Sequence, residues 1–152
     1  MTFFQSCQTP VGRMVIRSDG AAVTGIVFSD VLEPELPNAL TELTVQQIRE
    51  YFAGTRAAFD LPLRLSGTPF MQAVCRALLD VPFGQTTTYG LLSAKAGYPG
   101  AARAVGTVMR KNPLVLVVPC HRVLAANGLG GYSCGLDKKR WLLRHEGVGF
   151  KE

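Results

Sequence analysis

Histidine is nearly absent from this chain of 152 residues: there are two, His121 and His145, both beyond residue 120. The four cysteines, Cys7, Cys75, Cys120 and Cys134, include no Cys-x-x-Cys pair. A four-ligand zinc site would have to be gathered from scattered parts, so no metal and no other cofactor is expected. No apolar run approaches the roughly 20 residues of a membrane-spanning helix. The start, Met1-Thr2-Phe3-Phe4-Gln5-Ser6, lacks the charged opening and long apolar stretch of a signal peptide. These absences point to a cytoplasmic protein, not membrane-bound, whose thiols are reduced. Repeats and low-complexity tracts are also missing. With 47% hydrophobic and 18% charged residues, the chain can bury one good core, or one core and a small satellite domain.

Acidic residues are scarce in one half only. Residues 1–67 hold five Lys/Arg and seven Asp/Glu, a net charge of −2, whereas residues 68–152 hold eleven and four, a net of +7. A basic segment of this kind is the electrostatic footprint of a nucleic-acid binder, although a solvated basic face produces the same balance.

The acidic half opens with alternating segments. Residues 12–20 and 21–28 read as two strands around an Asp19-Gly20 turn. Pro34 and Pro37 then interrupt regular structure. Thr44 is the expected N-cap of a helix through Tyr51 and Phe52, with Val45, Ile48 and Phe52 on one face and Gly54 as its end. Leu61–Gly67 reads as a linker or a last edge strand. Nothing in residues 1–65 suggests chemistry, and they are expected to form a small supporting β-rich domain.

After Gly67 the period becomes helical. Thr68-Pro69 is a helix start, with Phe70, Val74, Ala77 and Leu78 repeating until Val81-Pro82-Phe83-Gly84. Thr88 is expected to cap a helix over Tyr89–Lys95, and Gly97-Tyr98-Pro99-Gly100 turns into another over Ala101–Arg110. Two short helices joined by a tight turn describe a helix-turn-helix. Its second helix contains no Asn or Gln to read bases; Ala101, Ala102, Ala104 and Gly106 leave it thin, with Arg103 its one long side chain before Met109 and Arg110. Such a helix suits close, sequence-independent approach to a minor groove, and it equally suits tight packing against a neighbouring element.

The run Leu114-Val115-Leu116-Val117-Val118 must be buried, and Pro119 turns the chain just before Cys120. A thiol there is a strong nucleophile once ionised, and His121 and Arg122 beside it are candidates for lowering its pKa. The competing reading is a small core hydrophobe.

In order along the chain stand Tyr89-Gly90, Ala102-Arg103-Ala104-Val105-Gly106, Asn112-Pro113, Pro119-Cys120-His121-Arg122-Val123, Gly131-Tyr132, Lys138-Lys139-Arg140-Trp141-Leu142-Leu143 and His145-Glu146-Gly147. This series, spanning about residues 68–148, closely resembles the O6-alkylguanine-DNA alkyltransferase family. The resemblance implies an α+β chain. A small N-terminal β-rich domain with a helix (1–65) would precede a mainly helical domain (68–150) carrying a winged helix-turn-helix and the alkyl-transfer chemistry. It implies DNA repair by methylated-DNA–protein-cysteine S-methyltransfer, in which a flipped-out O6-alkylguanine, with O4-alkylthymine as a second candidate, gives its alkyl group to Cys120 once and irreversibly. His121, acting through water, and Glu146 resemble the family's proton relay. Asn112 resembles the buried asparagine that ties the recognition helix to the active segment, and Tyr89 the tyrosine beside the flipped nucleotide. Arg103 resembles the finger that replaces the extruded base; Ala102, Thr88, Tyr89 and Arg110 are the other residues expected to face DNA. Met109, Val123, Tyr132, Ser133 and Cys134 are expected around the alkyl pocket, and double-stranded DNA is the expected partner of a monomer.

Two positions depart from the family pattern. Cys75 stands where a tryptophan is usual. Cys134 stands where the first of two glycines is usual, and is expected to narrow the pocket mouth, through its side chain or through its backbone if that position needs positive φ. The N-terminal segment offers Cys7 and no histidine for the zinc that some members hold. A cysteine hydrolase and a non-enzymatic damage-sensing DNA-binding module are the alternative readings; the second has no use for Cys120.

Overall fold

Asp19-Gly20 turns the chain where the alternation predicts it. The Asp19 carboxylate accepts from the backbone N–H of Ala21 and Ala22, both at 2.9 Å, and Gly20 takes φ +96°, which a side chain would disfavour. In the computed structural model, which describes residues 1–151, this turn joins β2 (Gly12–Ser18) to β3 (Val23–Phe28). An unforeseen edge strand, β1 (Phe3–Thr9), pairs antiparallel with β2, from Phe3 opposite Ser18 to Thr9 opposite Gly12. Only Cys7 of β1 is fully buried, so the strand shows little of the alternation that a sequence reading relies on.

The helix that covers this sheet is α1 (Ala39–Phe52), and its start corrects the Thr44 expectation. Asn38 is the N-cap: its Oδ1 accepts from Thr41 N–H, and Thr41 Oγ1 accepts in return from Asn38 N–H, both at 2.8 Å. Thr44 lies inside the helix, buried, with its hydroxyl donating to Leu40 O. The buried stripe is Thr41, Thr44, Val45, Ile48 and Tyr51, so Tyr51 rather than Phe52 enters the core. Replacing Asn38 by Ala should cost about 1 kcal/mol by loss of this cap, read as a lower urea midpoint with an unchanged slope.

Residues Met1–Arg64 form one unit together with Pro113–Val117. Leu63 makes a single bridge to Val23, and Leu114 makes one to Ile26 through Ile26 N–H to Pro113 O (2.8 Å) and Val115 N–H to Ile26 O (3.0 Å). Leu116, 2% exposed, has φ +76°. That backbone costs a non-glycine residue about 1–2 kcal/mol, offset by burying leucine side chains on this stretch.

The second unit comprises Leu65–Asn112 and 118–151. Thr68 caps α2 (Pro69–Leu79), and Thr88 caps α3 (Tyr89–Lys95), each hydroxyl accepting a backbone N–H at 3.2 Å. The turn to α4 (Ala102–Arg110) is pinned by Ser93, fully buried, whose hydroxyl donates to Tyr98 O and accepts from Ala101 N–H. The helix-turn-helix is therefore formed, and α4 buries Val105, Val108 and Met109 while Arg103, Ala104, Thr107 and Arg110 stay exposed. β4 (Thr87–Thr88) pairs in parallel with β5 (Val123–Leu124), and α5 (Leu136–His145) completes the unit. The chain is thus α+β as expected, with the sheet first and the helices after it.

Candidate active site

Cys120 opens a 3-10 turn, Cys120–Arg122, which Pro119 starts by ending the extended backbone. Cys120 as a whole is 4% exposed. Asn112, just past α4, donates from Nδ2 to Val118 O at 2.9 Å and also bonds the Cys120 thiol. Burial pushes that thiol up to about 11; the Asn112 bond opposes this, the nearby Cys134 adds to it, and the charge of Lys139 opposes it. At neutral pH Cys120 is therefore protonated, and ionising it requires a base.

His121, the next residue, is the candidate for that base. His121 is fully buried, and its Nε2 lies 2.8 Å from Glu146 Oε2. A nitrogen facing a carboxylate carries the proton, which leaves Nδ1 as an acceptor. Among the described residues Nδ1 is buried with no protein hydrogen-bond partner, a position suited to a water molecule. Burial holds His121 below its usual pKa against the opposing pull of Glu146, so the imidazole is neutral and basic.

Arg122 does not serve the thiol as the sequence suggested. Its Nε donates to Glu146 Oε1 (2.8 Å), Nη2 to Oε2 (3.0 Å) and Nη1 to Val81 O (2.7 Å). Gly84 N–H gives Glu146 Oε1 a further bond at 3.2 Å. The guanidinium thereby holds the carboxylate that orients His121.

Cys120 borders a cavity of about 700 Å³. Ala102, Arg103, Met109 and Arg110 of α4 line it, as do Tyr89 and, from the loop before α5, Tyr132 and Ser133. Tyr89 Oη accepts from Gly131 N–H at 3.2 Å. Gly130, at φ +74°, allows this approach: a Cβ there would stand 3.0 Å from Tyr89 Oη and 3.0 Å from Ala125 N.

Two of the residues expected around the pocket, Val123 and Cys134, are not among those that line it, and neither is Thr88, which is expected to face DNA. Thr88 is occupied as the α3 cap and in the β4–β5 pair. Val123 has a fully buried side chain, and its carbonyl accepts from Lys139 Nζ at 2.6 Å. Cys134 is half-buried just beyond Ser133; it is not a positive-φ residue, so the backbone route to a narrowed pocket does not apply. Sequence reasoning missed Lys139, which is fully buried. Its signal was its place at i−3 and i−4 from Leu142 and Leu143, a charge on the apolar stripe of α5.

Residues 69–148 match the family described as 6-O-methylguanine DNA methyltransferase, DNA binding domain, and residues 3–65 match that family's ribonuclease-like domain. The chain belongs to the 6-O-methylguanine DNA methyltransferase family. A methylated-DNA–protein-cysteine methyltransferase of Mycobacterium bovis is 39% identical over 154 residues, spanning 96% of this chain and 93% of the relative. One from Methanosarcina acetivorans is 37% identical, spanning 95% and 98%. The fold resembles the crystal structure of Mycobacterium tuberculosis O6-methylguanine methyltransferase, with a TM-score of 0.87 at 38% identity over 96% of this chain and 93% of that one. The crystal structure of Mycobacterium tuberculosis OGT in complex with DNA gives the same TM-score at 37% identity, over 94% and 91%. The two matched segments of the methyltransferase family together account for both the three-stranded sheet and the helical part, and the match over residues 69–148 contains every site residue described above.

Proposed function

We infer that this chain repairs DNA by direct reversal, moving an alkyl group from O6-alkylguanine, with O4-alkylthymine as a second substrate, to Cys120. The observation that carries this reading is the buried thiol at a cavity rimmed by the second helix of a helix-turn-helix, beside a neutral His121 oriented by Glu146. Residues 68–150 are the DNA-binding and alkyl-transfer domain, and 1–65 support it. The winged type of the motif belongs to the same reading, supported by the short β4–β5 pair.

The thiol proton passes through one water to His121 Nδ1. Sulfur attacks the alkyl carbon, the S–C bond forms as the C–O6 bond breaks, and guanine leaves with the electron pair. Tyr89 is the donor that neutralises it, and the relay returns the proton. The product is a thioether, which lacks a carbonyl for water to attack, so each molecule reacts once. Tyr132, Ser133 and Met109 bound the base pocket, with Val123 and Cys134 behind it. Asn112 ties α4 to the Cys120 segment. No metal is needed for any step.

The target carbon is inside the duplex, so the nucleotide must rotate out at a cost of a few kcal/mol. Ala102, Thr88, Tyr89 and Arg110 approach the minor groove, and Arg103, exposed at the rim of the cavity, fills the gap in the stack. We propose a cytoplasmic monomer. Among the described residues no helix is long and apolar enough to cross a membrane. Reading the chain as a damage sensor without chemistry leaves Cys120 and its relay unexplained.

Arg103→Ala should impair transfer from duplex DNA far more than from a free O6-modified guanine, measured by single-turnover rates on both. Equal losses would reject the finger role. The reading as a whole is tested by incubating the chain with methylated duplex DNA and weighing the intact protein: one methyl adduct on Cys120 is expected, and repeated turnover or an adduct on Cys75 or Cys134 would exclude it.

A further inference from the structure

The buried stripe of α5 is Lys139, Leu142 and Leu143, with Glu146 next in the same spacing, and its first member is a lysine with 0% exposure. Lys139 Nζ donates to Val123 O at 2.6 Å and to Gly131 O at 2.8 Å. Those carbonyls satisfy two of the three ammonium N–H groups and supply no countercharge. Among the described residues no carboxylate lies within ion-pair distance of Nζ. Glu146 is held by His121 and Arg122, and Asp137, on the same helix, pairs outward with Arg140. A buried cation without an anion is costly, and a lysine four carbons long ordinarily extends its charge to solvent instead. Lys139 is coupled electrostatically to Cys120 and to His121: burial, opposed by the thiolate charge of Cys120, leaves the amine lowered to about 8, and the Lys139 charge in turn lowers His121.

The two carbonyls that Lys139 holds are also informative. Val123 directly follows the 3-10 turn of Cys120, and Gly131 belongs to the loop that continues into Tyr132 and Ser133 on the cavity wall. Gly131 is held from its other side by Tyr89 Oη. One ammonium thus joins the nucleophile's segment to the pocket loop, and through Gly131 to Tyr89.

We propose that Lys139 is a positioning residue for alkyl transfer, whose buried ammonium clamps the pocket loop to the segment of Cys120 and serves as counter-ion when that thiol ionises. The proposal rests on Cys120 being the alkyl acceptor. When His121 draws off the thiol proton, the resulting anion faces a fixed cation rather than bare low-dielectric protein. Once sulfur has become a neutral thioether, Lys139 loses its anion. The titratable and charged groups that bear on the pair are Cys120 and His121 on the 3-10 turn, Cys134 on the loop acting on Cys120, and the Arg122–Glu146 pair behind His121. Lys138 and Arg140 flank it on α5.

The test follows thiolate absorbance against pH in the full chain, with Cys120→Ser as the background for the other three thiols. Lys139→Met, which keeps length and removes charge, should raise the Cys120 midpoint by at least about one unit, equivalent to about tenfold less thiolate at neutral pH. Its single-turnover methyl transfer should slow by a similar factor and converge with the native rate as pH rises, while Lys139→Arg keeps the native midpoint. An unchanged midpoint and pH profile in Lys139→Met, or equal behaviour of Met and Arg variants, would overturn the proposal. If Lys139→Met does not fold, the Lys139 ammonium is titrated by NMR in the native chain and in Cys120→Ser. It should hold its proton to higher pH in the native chain, and identical titrations would overturn the counter-ion role. A native chain that acquires no methyl adduct overturns the alkyl-transfer reading and the proposal with it. A native chain that reacts, with an unchanged Lys139→Met profile, overturns the Lys139 proposal alone.

Discussion

Cys120→Ala should abolish alkyl transfer completely while leaving binding to methylated duplex DNA within a few-fold of the native chain. Cys120 is buried, 4% exposed, so removing its thiol subtracts little from any surface that meets DNA. Its neighbours are held by bonds that do not depend on it: Asn112 keeps Val118 O, and His121 keeps Glu146. Losing one sulfur from a packed site costs about 1–2 kcal/mol of stability, too little to unfold the chain. The measurement is the adduct mass after exposure to methylated duplex, alongside a binding titration at fixed salt. Affinity should fall steeply as salt rises, in native chain and variant alike, because phosphate contacts dominate it. A residual adduct in the variant, or loss of binding together with transfer, would remove Cys120 from its role.

Glu146→Gln should have the second largest effect, and on two quantities at once. Glu146 accepts both Arg122 and His121, all three buried, and neutralising it strands the guanidinium charge. Breaking such a pair costs about 3–5 kcal/mol, which a denaturant titration would read directly. The variant also loses the carboxylate that fixes the His121 tautomer, and transfer should slow by about a hundredfold at neutral pH. The pH dependence separates the two effects. Cys120 is protonated until its own value of about 11 is approached, so the relay matters most at neutral pH. As pH rises above about 9 toward that value, thiolate forms without the relay and the defect in transfer should narrow. A defect that stays constant with pH would make Glu146 structural only.

Local rules carried the reading of the chain a long way. Thr68, Pro69 and Thr88 mark helix starts because a hydroxyl before an apolar period has one inexpensive use, and both hydroxyls make that bond. The Asp19-Gly20 turn is equally local. Thr44 misled because a threonine inside a helix and one at its start look alike without the chain before them, where Asn38 and Thr41 already bond each other. β1 escaped because an edge strand is held by its ladder to β2 more than by any buried face. The run Pro113–Val117 gave no sign that it would pair with Ile26, since an apolar run records that it is buried and not against what.

The same division holds at the site. Order and identity along residues 68–148 determined the family and pointed to the candidate nucleophile and relay partners, because a reaction that needs a thiol, a base and its orienting carboxylate leaves those residue types in a recognisable series. Tertiary structure alone decided the directions of charge. Adjacent in sequence, His121 and Arg122 share Glu146 25 and 24 residues away, and the cation coupled to the thiol is Lys139, on a helix that begins sixteen residues beyond Cys120. Electrostatic effect depends on distance and burial in space, to which residue order contributes only indirectly.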